Sequence, residues 1–164
     1  KYDQYIETYK ALEKLYHDGR VKAIGVCNFE VEHLQRLMDE CDIIPAVNQV
    51  ECHPYLQQKE LKTFCQEHNI YVEAYSPLMN GTKVLEDTVI YELANKYNKT
   101  PAQIILRWHL QTGVIVIPKT VTPSRMEENM NVFVFELSDE EMNKIAELDR
   151  GERHNADPKE MNVR

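Results

Sequence analysis

Glycine is scarce in this sequence. Its five copies, Gly19, Gly25, Gly81, Gly113 and Gly151, are scattered along 164 residues, so neither G-x-G-x-x-G nor G-x-x-x-x-G-K occurs. The Rossmann turn and the P-loop are therefore both excluded, and any nucleotide bound here is held by other means. The four cysteines, Cys27, Cys41, Cys52 and Cys65, contain no C-x-x-C, which removes zinc ribbons and thioredoxin-type redox motifs. They read as free, mostly buried thiols of a reducing compartment. None of the six histidines forms an H-x-x-x-H pair, so a zincin site is absent and no metal is expected. No apolar run approaches the ~20 residues that cross a bilayer, and Lys1 to Tyr9 has no signal-peptide character. The expectation is a cytoplasmic protein with no membrane partner. Cations are also in deficit: 19 Lys and Arg stand against 27 Asp and Glu, a net charge of −8, which argues against duplex DNA or RNA as a partner.

What is present is ordinary for a globular domain, with 43% hydrophobic and 28% charged residues. The length predicts a single domain over 1–164. Tyr2, Tyr5, Ile6, Tyr9, Leu12, Leu15 and Tyr16 recur at helical spacing, and Asp18-Gly19 supplies a stop. An apolar run over 21–26 reads as a strand and is followed by a helix carrying Val31, Leu34, Leu37 and Met38. The unit repeats, with a strand over 46–50 before a helix carrying Leu56, Leu61, Phe64 and Cys65, then a strand over 71–75 before one carrying Val89, Ile90, Leu93, Ala94 and Tyr97. Thr100-Pro101-Ala102-Gln103 combines a capping box with Pro at the first helical position. A fourth strand over 114–117 follows, Thr122-Pro123 or Ser124-x-x-Glu127 opens another helix, and Ser138 caps a last one with Met142, Ile145 and Leu148 inward.

Strands alternating with helices predict an α/β protein with a parallel sheet. The strand starts average about 31 residues per unit, so eight units need about 250 residues, the size of a (β/α)₈ barrel, and this chain holds about half of one. Ligands bind at the carboxyl ends of parallel strands. The residues there are polar: Cys27-Asn28, Asn48-Gln49, Tyr75-Ser76-Pro77-Leu78, and Lys119-Thr120 with Arg125 shortly after.

Gly25-Val26-Cys27-Asn28-Phe29, Asn48-Gln49-Val50-Glu51-Cys52-His53-Pro54, Ala74-Tyr75-Ser76-Pro77-Leu78 and Ile117-Pro118-Lys119-Thr120, with Arg125 and Glu128-Asn129, resemble the carboxy-terminal half of the aldo-keto reductases. The bacterial aldose-reductase-like and diketogluconate-reductase-like members look most similar, and the resemblance runs from about Tyr9 to Pro158. It implies the carboxy-terminal half of a (β/α)₈ barrel and NADPH-dependent reduction of aldehydes and ketones. It further implies that Asn28 and Gln49 hydrogen-bond the nicotinamide carboxamide, with Cys27 beside them where the family more often has Ser. Tyr75 would stack on the nicotinamide, and Ser76 with the Pro77-Leu78 backbone would meet the pyrophosphate. Lys119, Thr120 and Arg125 would hold the 2′-phosphate, and Glu128 with Asn129 the adenine.

Each residue also has a plainer reading. Asn28 caps the following helix, Gln49 is solvated, Tyr75 packs in a wall, Ser76-Pro77 is a turn, and Arg125 serves helix geometry. His53 beside Glu51 suggests acid-base work, although a Pro-flanked structural loop is the stronger expectation. In the family the catalytic Tyr, Lys, Asp and His come from the amino-terminal half of the barrel, so none of the four is assigned here and the 164 residues alone are expected to give no turnover. Two rivals remain. One is a non-catalytic half-barrel that binds a dinucleotide or pairs, through its open strand edges, with itself or a separate amino-terminal chain. The other uses Lys119 as a Schiff-base nucleophile.

Overall fold

The computed structural model describes residues 2–159; of the irregular tail expected over 151–164, residues 160–164 lie outside them. Four parallel strands, β1 (Val26–Cys27), β2 (Val47–Glu51), β3 (Tyr71–Tyr75) and β4 (Ile115–Val116), form a sheet in that order, flanked by helices. The chain divides into two compact units. One comprises the residues up to Val50 together with Lys59–Val72, the other Glu51–Gln58 together with the residues from Glu73 onward.

In the first unit, α1 (Tyr2–His17) buries Ile6 and Tyr9, which cluster with Ile24 and Leu37. It stops at Gly19, whose φ of 68° opens a left-handed turn in which Gly19 N–H donates to Tyr16 O and Arg20 N–H to Leu15 O. Strand β1 is shorter than the apolar run predicts, because Val21 is exposed and regular pairing starts only at Val26 opposite Asn48. Gly25 sits against β2 so closely that a Cβ there would lie 2.5 Å from Val47 Cγ1 and 2.7 Å from Val47 O. Helix α2 (Val31–Glu40) buries Leu34 and Leu37, and α3 (Lys59–Glu67) buries Leu61 and Cys65.

Leu56 was expected on the helix after β2, but it belongs to the second unit's Glu51–Gln58 segment. There His53 and Leu56 exchange both backbone hydrogen bonds, at 3.1 and 2.9 Å. That tight turn uses the backbone groups a helix would need, and α3 starts only at Lys59. Also in the second unit, β3 pairs with β4 through Glu73 opposite Ile115 and Ala74 opposite Val116. Two 3₁₀ turns, Met79–Gly81 and Lys83–Glu86, then lead into α4 (Thr88–Tyr97), α5 (Pro101–Gln111), α6 (Pro123–Met130) and α7 (Asp139–Ala146). The capping boxes expected at Thr100/Gln103 and Ser138/Glu141 are both formed. Trp108, Ile90, Ile104, Ile105 and Ile145 anchor this unit's core.

Candidate active site: a cavity at the strand ends

In the second unit the strand ends open on a cavity of about 940 Å³. Its wall includes Tyr75, Ser76, Pro77 and Leu78 from the end of β3, Lys119 and Thr120 after β4, and Arg125, Glu128 and Asn129 on α6. The turn after β3 gives this wall its shape. Ser76, Met79 and Asn80 have φ of 48°, 46° and 56°, left-handed values that cost free energy for residues with a Cβ, and such values cluster where a ligand is gripped. Met79 N–H donates to Ser76 O at 2.9 Å and closes the turn. Thr122 and Pro123 start α6, and the two cations Lys119 and Arg125 line the cavity beside this helix N-terminus. Two positive side chains and a helix N-terminus suit the anionic part of a ligand, and an aromatic ring and an accepting carboxylate on the same wall suit its rings and their N–H groups.

Sequence reasoning missed part of this wall. Thr100, read only as a cap, lines the cavity together with Pro101 and Ala102, and its hydroxyl donates to Glu128 Oε1 at 2.7 Å while its oxygen still caps α5. The Glu128 carboxylate is thus oriented before any ligand arrives. Asn80 and Leu85, from the 3₁₀ turns, also line it. No periodic signal marks such short turns, and the first of them owes its shape to the positive φ of Met79, Asn80 and Gly81.

In the first unit the ends of β1 and β2 bring Cys27, Asn28 and Gln49 together. Cys27 lies opposite Gln49 in register, with Cys27 Sγ 3.8 Å from Gln49 Oε1, and Asn28 N–H donates to Gln49 O at 2.8 Å. Asn28 does not cap α2; that position belongs to Glu30, whose N–H donates to His33 Nδ1 at 3.1 Å. Asn28 instead takes a φ of 59°, a conformation asparagine tolerates, and its buried Oδ1 has no hydrogen-bond partner among the described residues. An amide N–H is the kind of donor such an oxygen lacks.

Glu51 and His53 lie outside the cavity wall. Both side chains are fully buried, with His53 Nε2 3.1 Å from Glu51 Oε1. Burial pushes the His53 pKa down, opposed by the hydrogen bond to Glu51, which favours a neutral ring that donates from Nε2. Burial pushes the Glu51 carboxyl up, yet the backbone N–H of His154, the His53 side chain and the backbone N–H of Asn155 together hold it below the usual carboxylate range. The pair's hydrogen bonds are thus made within the loop and to the backbone of His154 and Asn155, off the cavity wall.

The pattern of the Aldo/keto reductase family matches residues 1–150, and the chain belongs to that family. It is 50% identical over 157 residues to the methylglyoxal reductase DkgA of Escherichia coli K12, covering 95% of this chain and 57% of that protein. It is likewise 50% identical over 159 residues to the glyoxal reductase of Bacillus subtilis, covering 97% of this chain and 57% of the relative. An aldo-keto reductase from a Medee basin deep-sea metagenome library superimposes with a TM-score of 0.96 at 41% identity, covering 99% of this chain and 61% of that one. A mutant of Gox0644 solved in complex with NADPH gives 0.93 at 48% identity, covering 98% and 59%. The chain thus spans a little over half the length of the relatives it matches.

Proposed function

We propose that this chain supplies the dinucleotide-binding part of an NADPH-dependent oxidoreductase that reduces small aldehydes and ketones. Its relatives' names make methylglyoxal and glyoxal the first substrates to test. The observation that carries the reading is the cavity wall, where Lys119 and Arg125 stand beside the α6 N-terminus, as far along the wall as Glu128 and Asn129, with Tyr75 and Ser76 at the β3 end. When bound, NADPH supplies the hydride delivered to the carbonyl carbon.

This chain's residues bind and orient. Lys119, Thr120 and Arg125 hold the 2′-phosphate by charge-assisted hydrogen bonds. Glu128, held by Thr100, and Asn129 read the adenine. Ser76 and the Pro77-Leu78 backbone meet the pyrophosphate, and Tyr75 stacks on the nicotinamide, fixing which face is presented. Asn28 and Gln49 hydrogen-bond the nicotinamide carboxamide, to which two amides can offer both donor and acceptor. The group that protonates the carbonyl oxygen is not among these residues. We therefore expect the 164 residues alone to bind NADPH without turning over substrate, since loss of a general acid costs roughly 10² to 10⁴ in rate.

Titration of NADPH and NADH against the chain, followed by the fluorescence of Trp108 and the tyrosines, tests the reading. Saturable binding with a preference for NADPH is expected, and equal weak binding of both would overturn it. A second reading rests on the edge strand β4, where Ile115 and, just past the strand, Ile117 are 42% and 43% accessible. In that reading the half-barrel pairs with a copy of itself or a separate amino-terminal chain. Sedimentation of a compact monomer at micromolar concentration would count against the self-pairing arm, and unchanged sedimentation on adding a separately produced amino-terminal half against the other.

A further inference from the structure

The buried Glu51 carboxylate lies off the cavity, yet it holds a strap that reaches the cavity's lip. After α7 the chain runs back over the Glu51–Gln58 turn: Arg150 N–H and Glu152 N–H both donate to Tyr55 O, at 3.1 and 3.0 Å, and the Arg150 guanidinium lies 3.9 Å from the centre of the Tyr55 ring. It then meets Glu51. His154 N–H donates to Glu51 Oε1 at 2.6 Å and Asn155 N–H to Oε2 at 3.1 Å, while His53 contacts Oε1. From that anchor two side chains point to cavity-lining residues. Asn155 Nδ2 donates to Ser76 Oγ at 3.4 Å, and His154 Nε2 lies 2.9 Å from Asn80 Nδ2.

We propose that Glu51 is a positioning residue for dinucleotide binding, acting through the strap at His154 and Asn155 to fix Ser76 and Asn80 on the cavity lip. The inference rests on the dinucleotide reading of the cavity. Only a carboxylate suits the anchor, because three N–H donors converge on it and both of its oxygens must accept. The amide of a glutamine would turn an NH₂ toward one of them. Ser76 is held at a left-handed φ, and its hydroxyl has 3.4 Å contacts to Asn80 Oδ1 and Asn155 Nδ2, so the strap supplies a donor to a residue whose own backbone is strained. The fully buried Glu51–His53 pair is rigid enough to fix the strap's register, while the strap residues themselves are exposed or half-buried and owe their placement to that anchor.

The test combines Glu51→Gln, Asn155→Ala and the double variant in the full chain, with amide hydrogen exchange at residues 154 and 155 and NADPH affinity as readouts. In Glu51→Gln the amides of His154 and Asn155 are expected to exchange at least about tenfold faster. NADPH is expected to bind about three- to tenfold more weakly, the worth of one neutral hydrogen bond. Asn155→Ala, which removes one of the strap's two contacts, gives a loss no greater than that of Glu51→Gln, and the double variant loses no more than Glu51→Gln alone, because Asn155 acts downstream of Glu51; a merely structural Glu51 would give additive losses. Unchanged exchange at 154 and 155, additive losses, or unchanged NADPH affinity in Glu51→Gln overturns the proposal while leaving the cavity's assignment intact. Failure of the unsubstituted chain to bind NADPH removes both. If Glu51→Gln does not fold, Asn155→Ala decides alone, and an unaltered NADPH affinity in that variant overturns the role.

Discussion

At the tips of β1 and β2 the polar residues are largely tied to one another. Asn48 donates from Nδ2 to Phe29 O at 2.8 Å and accepts from Phe29 N–H at 3.3 Å, and Asn28 N–H closes on Gln49 O. At the tips of β3 and β4 the equivalent positions open on a cavity, with Lys119 and Arg125 exposed and the backbone of Ser76 bent into a left-handed turn. At the first pair of tips Asn48 is used in building the sheet; at the second, charged side chains stand open on the cavity. Polar residues at strand ends thus do different work, and the difference can be tested by removing one residue from each.

The largest effect is expected at Asn48, which is fully buried. Asn48→Ala leaves the Phe29 N–H and C=O without their partner and opens a small cavity, at a cost of about 2 to 4 kcal/mol of stability. Urea unfolding followed by circular dichroism reads this as a lower midpoint with an unchanged slope. The affinity of the folded fraction for NADPH should stay within about twofold, since no lining residue is touched. A fall in affinity instead of stability would show that Asn48 itself serves the ligand rather than the sheet.

Arg125→Met is the counterpart. It removes one of two cations beside the α6 N-terminus, so NADPH should bind about ten- to a hundredfold more weakly, the worth of one charge-assisted hydrogen bond, with little loss of stability. NADH, which lacks the 2′-phosphate, should be almost unaffected. An equal loss for both cofactors removes Arg125 from the phosphate site.

How far the sequence carried these assignments differs between the two regions for a physical reason. Element type was legible wherever a period and a cap agreed: α5 begins where Thr100-Pro101 puts it, and α7 where Ser138 and Glu141 do. The cavity residues were legible through motifs and strand-end placement. Asn48 stood in the sequence only as one more polar strand-end residue, because sequence cannot show which face a polar side chain takes once Phe29 folds back on it. The Leu56 turn and the first 3₁₀ turn escaped because they are made locally, by the hydrogen bonds between His53 and Leu56 in one and the positive φ of Met79 and Asn80 in the other, and no periodicity announces either. The strap on Glu51 joins residues a hundred positions apart, which no local pattern encodes.

Acid sensitivity sharpens the contrast within the second unit, because its helix packing carries a charge that the cavity does not use. Burial alone would raise the pKa of Glu141, but hydrogen bonds from Lys96 Nζ and Tyr97 Oη, both at 2.6 Å, and from Ser138 N–H hold it at about 2. Because the folded pKa is depressed, the contribution is full above the ordinary value of 4.5 and is lost as pH falls toward about 2. Unfolding midpoints should therefore decline across that window, and Glu141→Gln should flatten this part of the decline while costing about 1 to 2 kcal/mol at neutral pH. An unchanged acid limb in Glu141→Gln would place the sensitivity elsewhere, with the buried Glu51 carboxylate as the next group to substitute.

The smallest effect is expected at Cys27, where a thiol stands at a position the family more often fills with serine. Cys27 Sγ reaches Gln49 Oε1 only at 3.8 Å, and a thiol is a weak donor. A hydroxyl in its place would hold the Gln49 carbonyl oxygen more firmly and leave the Gln49 NH₂ aimed at an acceptor. Cys27→Ser should accordingly tighten NADPH and NADH alike by no more than about threefold, since a part-exposed neutral hydrogen bond is worth little. The equality matters more than the size: the carboxamide end is common to both cofactors, whereas Arg125 separates them. A gain confined to NADPH would mean that Cys27 reports on the phosphate end, and the division of labour between the two sets of strand tips would fail at its nicotinamide half.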